Sequence, residues 1–233
     1  MNPIRKVIQK TGFDLHRYHK ELDKLAQLKD KNIKTVLDIG ANTGQFAKEA
    51  REKLPDTKIY SFEPLKECFD KLEENMKTDK NFKAFNIALG DKNEKAEMHK
   101  SSYTPSSSIL EMAKAHKTLF PHTKENKPEQ IEVKRLDDAV ISLSLEKEIM
   151  IKVDVQGFED KVIEGGKETF KKTKVVLIEN SFVELYESQP LFDDIYEKLK
   201  SFGFEYKGSM QEKVDKHTGK IISEDSIFIR NSE

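Results

Sequence analysis

The chain has one cysteine, Cys68, no tryptophan, and no window near the roughly 20 apolar residues that a bilayer-spanning helix needs. One thiol cannot close an internal disulfide or build a cysteine zinc knuckle, and so sparse a cysteine usage fits a reducing compartment. The N-terminus, MNPIRKVIQKTGFDLHRYH, lacks the apolar stretch of a signal peptide. The expectation is a soluble, cytoplasmic protein with no transmembrane segment. An excess of either charge is missing too. Lys and Arg number 41 against 42 Asp and Glu, a net charge of −1. No long-range field draws such a chain to nucleic acid or to an anionic membrane. Internal repeats and low-complexity tracts are also absent.

What is present is an alternating pattern. Residues 1–32 read as an amphipathic helical segment, with Ile4, Val7 and Ile8 on one face and Leu22, Leu25 and Leu28 on another. That segment offers a dimer contact, a cap on a sheet or a membrane-surface contact. Residues 33–233 read as one α/β domain. Thr35–Ile39 is a short apolar run, the signature of a strand buried on both faces. Further strands are expected at Lys58–Phe62, Phe82–Ile87, Ile149–Val153 and Lys174–Ile178. Helices are expected from about Gly44 to Leu54, over Leu65–Met76, Phe158–Phe170 and Leu191–Phe202. Phe204–Lys207 and Ser226–Ile229 close the chain as a hairpin about Thr218-Gly219. Strands alternating with helices predict a mostly parallel, Rossmann-like sheet covered on both faces, with an antiparallel hairpin at one edge. Residues 88–148 break the rhythm. They read as a β-rich insertion with a loop over the site, including a turn at Gly90-Asp91 and a strand at Ile131–Val133.

Chemistry concentrates where strands end, the usual ligand-binding rim of open α/β sheets. The first strand runs into Asp38-Ile39-Gly40-Ala41-Asn42-Thr43-Gly44. Its G-x-x-x-G spacing departs from the dinucleotide fingerprint, and an acid two residues before the first glycine would repel a pyrophosphate. The same acid suits S-adenosylmethionine, which carries an amino group and a cationic sulfonium. Asp38, Gly40, Asn42 and Gly44 are therefore cofactor-site candidates. Glu63, nineteen residues beyond Gly44, ends the second strand, where a carboxylate can accept from both ribose hydroxyls. Pro64 then opens the next helix. Glu63 argues for an adenosine ligand without naming it. Asn86, Ala88 and Leu89 end the third strand at the expected adenine pocket.

The fourth strand reads Ile151-Lys152-Val153-Asp154, with Lys152 and Asp154 on one face. Buried charges need partners, and Asp154 falls at the mouth of the pocket. Glu179 and Asn180 end the fifth strand on the same rim. Asp154 is the candidate general base, with Lys152 and Glu179 beside it. Alternatively, Asp154, Glu179 and Asn180 bind Mg²⁺ through oxygen ligands, or Asp154 is a structural partner of Lys152. His116 and His122 offer a base from the insertion.

Asp38-x-Gly40-Ala-Asn42-x-Gly44, Phe62-Glu63-Pro64, Leu136-Asp137-Asp138 and Lys152-Val-Asp154-Val-Gln156-Gly157-Phe-Glu159 occur in that order. Together, over about residues 35–207, they resemble the FkbM family of methyltransferases. The resemblance implies a class I methyltransferase fold with a seven-stranded sheet and S-adenosylmethionine as cofactor. It also implies O-methylation of a hydroxyl on a sugar, glycan or related small metabolite. By the same likeness, Ser107 and Ser108 match a serine motif near the cofactor. Two other readings stay open: a nicotinamide-dependent oxidoreductase, and a non-catalytic nucleotide-binding subunit of the same fold.

Overall fold

The structure, a computed structural model, describes residues 28, 30–120, 123 and 126–230. Most of the expected N-terminal helical segment, and His122, lie outside the described residues. The strand–helix alternation is β1 (Thr35–Ile39), α1 (Gln45–Lys53), β2 (Lys58–Phe62), α2 (Lys66–Met76) and β3 (Phe82–Phe85). The insertion contains β4 (Ala88–Gly90), β5 (Glu94–Ser101), α3 (Lys114–Leu119), β6 (Asn126–Arg135) and α4 (Leu136–Ala139). The remainder is β7 (Ile149–Val153), α5 (Glu159–Gly165), α6 (Lys167–Lys172), β8 (Thr173–Ser181), α7 (Phe192–Ser201), β9 (Phe204–Val214) and β10 (Ile221–Arg230).

Seven strands form one sheet in the order β3-β2-β1-β7-β8-β10-β9. β1, β2, β3, β7 and β8 run parallel, and β10 is antiparallel to both β8 and β9. β1 lies inside the sheet, between β2 and β7, and is buried along its whole length. Its alternation sends Leu37 and Ile39 into one apolar cluster with Phe170, Ile195 and Leu199, and Val36 into another with Ala47, Ala50 and Leu72. Helices thus cover both faces, α5–α7 on one and α1–α2 on the other. This explains why β1 reads as an unbroken apolar run.

Three elements differ from expectation. The third strand stops at Phe85, because the Asn86 side-chain amide turns back and donates to the carbonyls of Glu63 (2.9 Å) and Pro64 (2.8 Å). Ala88–Gly90 then leaves the main sheet and joins a three-stranded sheet, β4-β6-β5. The single helix expected over Phe158–Phe170 is two, α5 and α6, broken at Gly165-Gly166. A Cβ on Gly165 would lie 1.8 Å from the Gly90 carbonyl oxygen, so only glycine lets the helix approach β4 this closely. The closing hairpin is far longer than its apolar ends suggested, and β10 lies inside the sheet with β9 at the edge.

Candidate active site at the strand ends

The loop after β1 is built from left-handed backbone. Gly40 (φ 79°) and Asn42 (φ 48°) both adopt it. A Cβ on Gly40 would sit 1.9 Å from the Asp154 carbonyl oxygen, so the β1 and β7 ends touch only because residue 40 is glycine. The Asp154 N–H donates to Ile39 O (3.0 Å), and the Gly40 N–H donates to Phe62 O (3.0 Å). These bonds gather the ends of β1, β2 and β7 into one rim.

A cleft opens there. Gly40, Asn42, Glu63, Pro64, Ala88, Leu89, Ser107 and Asp154 all line it. Phe62, Ile87, Met98 and Phe158 add apolar wall, and Thr104 and Pro105 close it from the insertion. Glu63 is 4% exposed. Its two carboxylate oxygens accept from Asn42 N (2.8 Å) and Leu65 N (2.9 Å). Burial, only partly offset by those two bonds, pushes its carboxyl up to about 7. A buried acid aimed into an apolar slot is the arrangement that fits a nucleoside ribose beside a purine.

Other candidates take supporting places. Asp38 is fully buried inside the sheet and does not line this cleft; its Oδ2 accepts from Ser61 Oγ (3.0 Å), and its Oδ1 has no partner among the described residues. Its carboxyl is raised by burial. Gly44 lies under α2, where a Cβ would meet Leu72 at 2.8 Å. The Asn86 NH₂ ties the Glu63-Pro64 carbonyls, so its two donors are committed away from any adenine. Ser108 donates to Gln156 O (2.6 Å), pinning the insertion to the loop after β7. His116 is buried against the ring of Tyr186, with centroids 5.0 Å apart, and is a packing residue rather than a base on a closing loop. Asp137 accepts from Glu168 N (3.2 Å), Thr169 N (2.9 Å) and Thr169 Oγ1 (2.7 Å). The Leu136-Asp137-Asp138 motif thereby caps α6, a structural duty.

A second cleft adjoins the first and shares Gly40, Asn42, Pro105 and Asp154 with it. Its character is polar. Lys152, Asp154, Glu179, Lys213 and Asp225 line it, with Gln45, Gln211 and Tyr103. Lys152 Nζ lies 3.0 Å from Asp154 Oδ2, and Lys213 Nζ lies 2.5 Å from Glu179 Oε1. Burial alone would raise the Asp154 carboxyl, but the Lys152 charge and hydrogen bonding hold it well below the usual carboxylate range. Burial and the Asp154 charge push Glu179 the other way. The two titrate as a pair, one ionised and one holding a proton more tightly. Lys213, Gln211 and Asp225 escaped the sequence reading because the hairpin that carries them is mostly polar.

The trio read as a magnesium site does not converge. Residues 179 and 180 are adjacent in a continuous strand, so their side chains project to opposite faces. The Asn180 amide is buried on the face away from Glu179, and neither of its side-chain polar atoms finds a partner among the described residues. The carboxylates of Asp154 and Glu179 already face ammonium groups. Among the described residues no group of three or more His, Cys, Asp or Glu side chains could hold a metal.

Glu159, at the start of α5, makes stability depend on pH. It is 4% exposed and accepts from Val155 N (3.2 Å) and Gly157 N (3.1 Å). Burial pushes its carboxyl from 4.5 up to about 8. Between those values the folded state holds the proton that the unfolded chain has released. Stability from this group is therefore full below the lower value and is lost as pH rises to the higher one. Thermal melts from pH 5 to pH 8 should show Glu159→Gln losing less stability across that range than the wild type. Equal slopes would remove Glu159 as a source of the loss.

A family model described as a methyltransferase FkbM domain matches residues 38–206. The 2-O-methyltransferase NoeI of Sinorhizobium fredii is 32% identical over 184 residues, covering 76% of each chain. Methyltransferase sdnD of Sordaria araneosa is 28% identical over 200 residues, covering 73% of each. Among solved structures, a methyltransferase FkbM from Methylobacillus flagellatus superposes with a TM-score of 0.53 at 11% identity. The match covers 85% of this chain and only 44% of that longer one, and it bears on the fold alone.

Proposed function

The chain belongs to the FkbM methyltransferase family, and from that premise we propose that it methylates a hydroxyl oxygen on a sugar, glycan or related small metabolite. The enzyme is a methyltransferase of class I fold, and its cofactor is S-adenosylmethionine. The observation that carries the finer reading is the meeting of two clefts at Asp154, one apolar with a buried acid and one polar. Glu63 would hold the ribose, and Ala88, Leu89 and Phe158 the adenine. Bound there, S-adenosylmethionine supplies an electrophilic methyl group for in-line transfer.

The chain's own residues then have two tasks, to align a hydroxyl and to remove its proton. Asp154 is kept ionised and faces the polar cleft, so it is placed to accept that proton. Lys152 orients it. Glu179 and Lys213 extend the same polar wall, which suits a polyhydroxylated acceptor. Asp154 and Glu179 act here as carboxylates paired with lysines, since the donor set does not fit a divalent cation. We further take residues 33–233 as the catalytic domain and 1–32 as a separate segment. The nicotinamide and non-catalytic readings are not favoured. Among the described residues, no helix is long and apolar enough to cross a membrane.

The test has two steps. Calorimetric titration should show S-adenosylhomocysteine binding in the micromolar range and NADH not binding, about −8 kcal/mol for the first. Radiolabelled methyl transfer to a panel of methyl glycosides should then give a base-stable ether. A base-labile methyl ester, or transfer only to amines, would overturn the oxygen reading.

A further inference from the structure

Gln156 occupies a conformation that glutamine seldom adopts. Its φ is 55°, in the left-handed region, and it is followed by Gly157 at φ 99°. Such backbone costs free energy and persists where the surroundings impose it, often at working sites. Here the Ser108 hydroxyl holds the Gln156 carbonyl (2.6 Å). The side chain is then delivered into the gap between two carboxylates. Gln156 Nε2 donates to Asp154 Oδ1 (2.6 Å) and to Glu179 Oε2 (2.5 Å), and Gln156 Oε1 accepts from the Tyr186 hydroxyl (2.9 Å).

The orientation of this amide follows from its neighbours. Turned over, its oxygen would face two carboxylates, and both N–H donors would be lost from them. Tyr186, whose one hydroxyl proton lies closer to Gln156 Oε1 (2.9 Å) than to Ser106 O (3.2 Å), keeps that proton because burial and the surrounding acids push its hydroxyl far up. The result is an unbroken chain of five side chains, Lys152–Asp154–Gln156–Glu179–Lys213, drawn from β7, its following loop, β8 and β9. Without the amide, the two acids would be joined only through the proton that one of them holds.

We infer that Gln156 is a positioning residue for methyl transfer, a clamp that Tyr186 aligns and that locks the Asp154 and Glu179 carboxylates side by side at the junction of the two clefts. The inference rests on the reading of Asp154 as the group facing the acceptor hydroxyl.

Two readouts on the full-length protein keep the clamp and that reading apart. The first needs no acceptor. In nitrogen-15-labelled protein, both Gln156 side-chain amide protons should exchange slowly with solvent, and Tyr186→Phe should speed that exchange by about tenfold or more. Free exchange in the wild type, or no change in Tyr186→Phe, would overturn the clamp. The second uses the methyl glycoside that the panel selects. Gln156→Asn keeps an amide and suits left-handed backbone better, so the fold should hold, yet the amide falls short of both carboxylates. Its kcat should drop by about tenfold or more, with KM for S-adenosylmethionine and the melting midpoint kept. Tyr186→Phe should lower kcat less, and should add nothing in the Gln156→Asn background. Unchanged kcat in Gln156→Asn, or additive effects, would overturn the positioning role. If no glycoside is methylated, the oxygen-transfer reading fails, while the exchange experiment still decides the clamp.

Discussion

Asp154→Asn will lower turnover by about a hundredfold or more while leaving S-adenosylhomocysteine affinity within about threefold of the wild type. The substitution is nearly isosteric and removes the charge and one acceptor. Asparagine can still accept from Lys152 Nζ through its carbonyl, which holds the side chain near its place, although its NH₂ gives up the bond that Asp154 Oδ1 accepts from Gln156 Nε2. The buried lysine does not become an orphan either, because Asp38 and Asp225 also stabilise its charge. That matters, since stripping one partner from a buried ion pair ordinarily costs about 3–5 kcal/mol. The expected signature is a small drop in melting midpoint, near-native binding of the product nucleoside, and a collapse of kcat. Retained turnover would make Asp154 a structural partner of Lys152. Loss of folding together with turnover would point to the same structural role, and the double replacement Lys152→Met with Asp154→Leu then decides, because a merely structural pair should tolerate exchange of both partners for apolar chains.

The parts of the molecule that were legible in the sequence are those whose environment leaves a simple trace. β1, β2, β7 and β8 are buried on both faces by helices, so their residues read as short apolar runs ending at chemistry-bearing positions. The loop glycines were legible because Gly40 must touch β7 backbone. The polar hairpin was not. β9 and β10 carry Lys213 and Asp225 on stretches such as Met210-Gln-Glu-Lys213 and Ser223-Glu-Asp225, where alternation is blurred by half-exposed charges and three register shifts. A window that looks for apolar residues ends β9 at Lys207 and starts β10 at Ser226, which cuts away the acceptor-side wall.

Asn86 and Asp38 show a different limit. Residue type and position both suited ligand contact, yet the Asn86 NH₂ and one Asp38 oxygen are engaged by the protein itself, while Asp38 Oδ1 is buried without a partner among the described residues. Asn86 holds the carbonyls of the Glu63-Pro64 turn, and Asp38 accepts from Ser61. A linear pattern places a polar group at a rim; only its bonding partners in the fold decide whether that group is free for a ligand. Gln156 is the converse. Nothing in Val155-Gln156-Gly157 announces an amide between two acids, because one of those acids arrives from β8, 23 residues later.

Glu63→Gln will weaken S-adenosylhomocysteine binding by about a hundredfold or more, and the reason lies in how the site is already wired. Each carboxylate oxygen accepts a backbone N–H, Asn42 on one side and Leu65 on the other. An amide can satisfy only one of them; its NH₂ would confront the other N–H, leaving two donors face to face. The loop carrying Gly40 and Asn42 would then rest on its backbone bonds to Phe62 O, without the full support of residue 63. A ribose that hydrogen-bonds to the carboxylate would lose charge-assisted bonds worth about 1.5–3 kcal/mol each. A sharper experiment separates ribose contact from loop tethering. The 2′-deoxy analogue of S-adenosylhomocysteine should bind the wild type much more weakly than the parent does, and Glu63→Gln should erase most of that difference. Additive penalties would assign Glu63 to the loop alone. The pH dependence runs in a fixed direction. The free carboxyl sits at about 7, and hydroxyl donors favour its ionised form, so the bound value is lower. Binding therefore releases a proton, and affinity should rise from pH 6 and level off above pH 8 in the wild type. In Glu63→Gln that rise should vanish, which ties the titration to this one side chain and the side chain to the nucleoside.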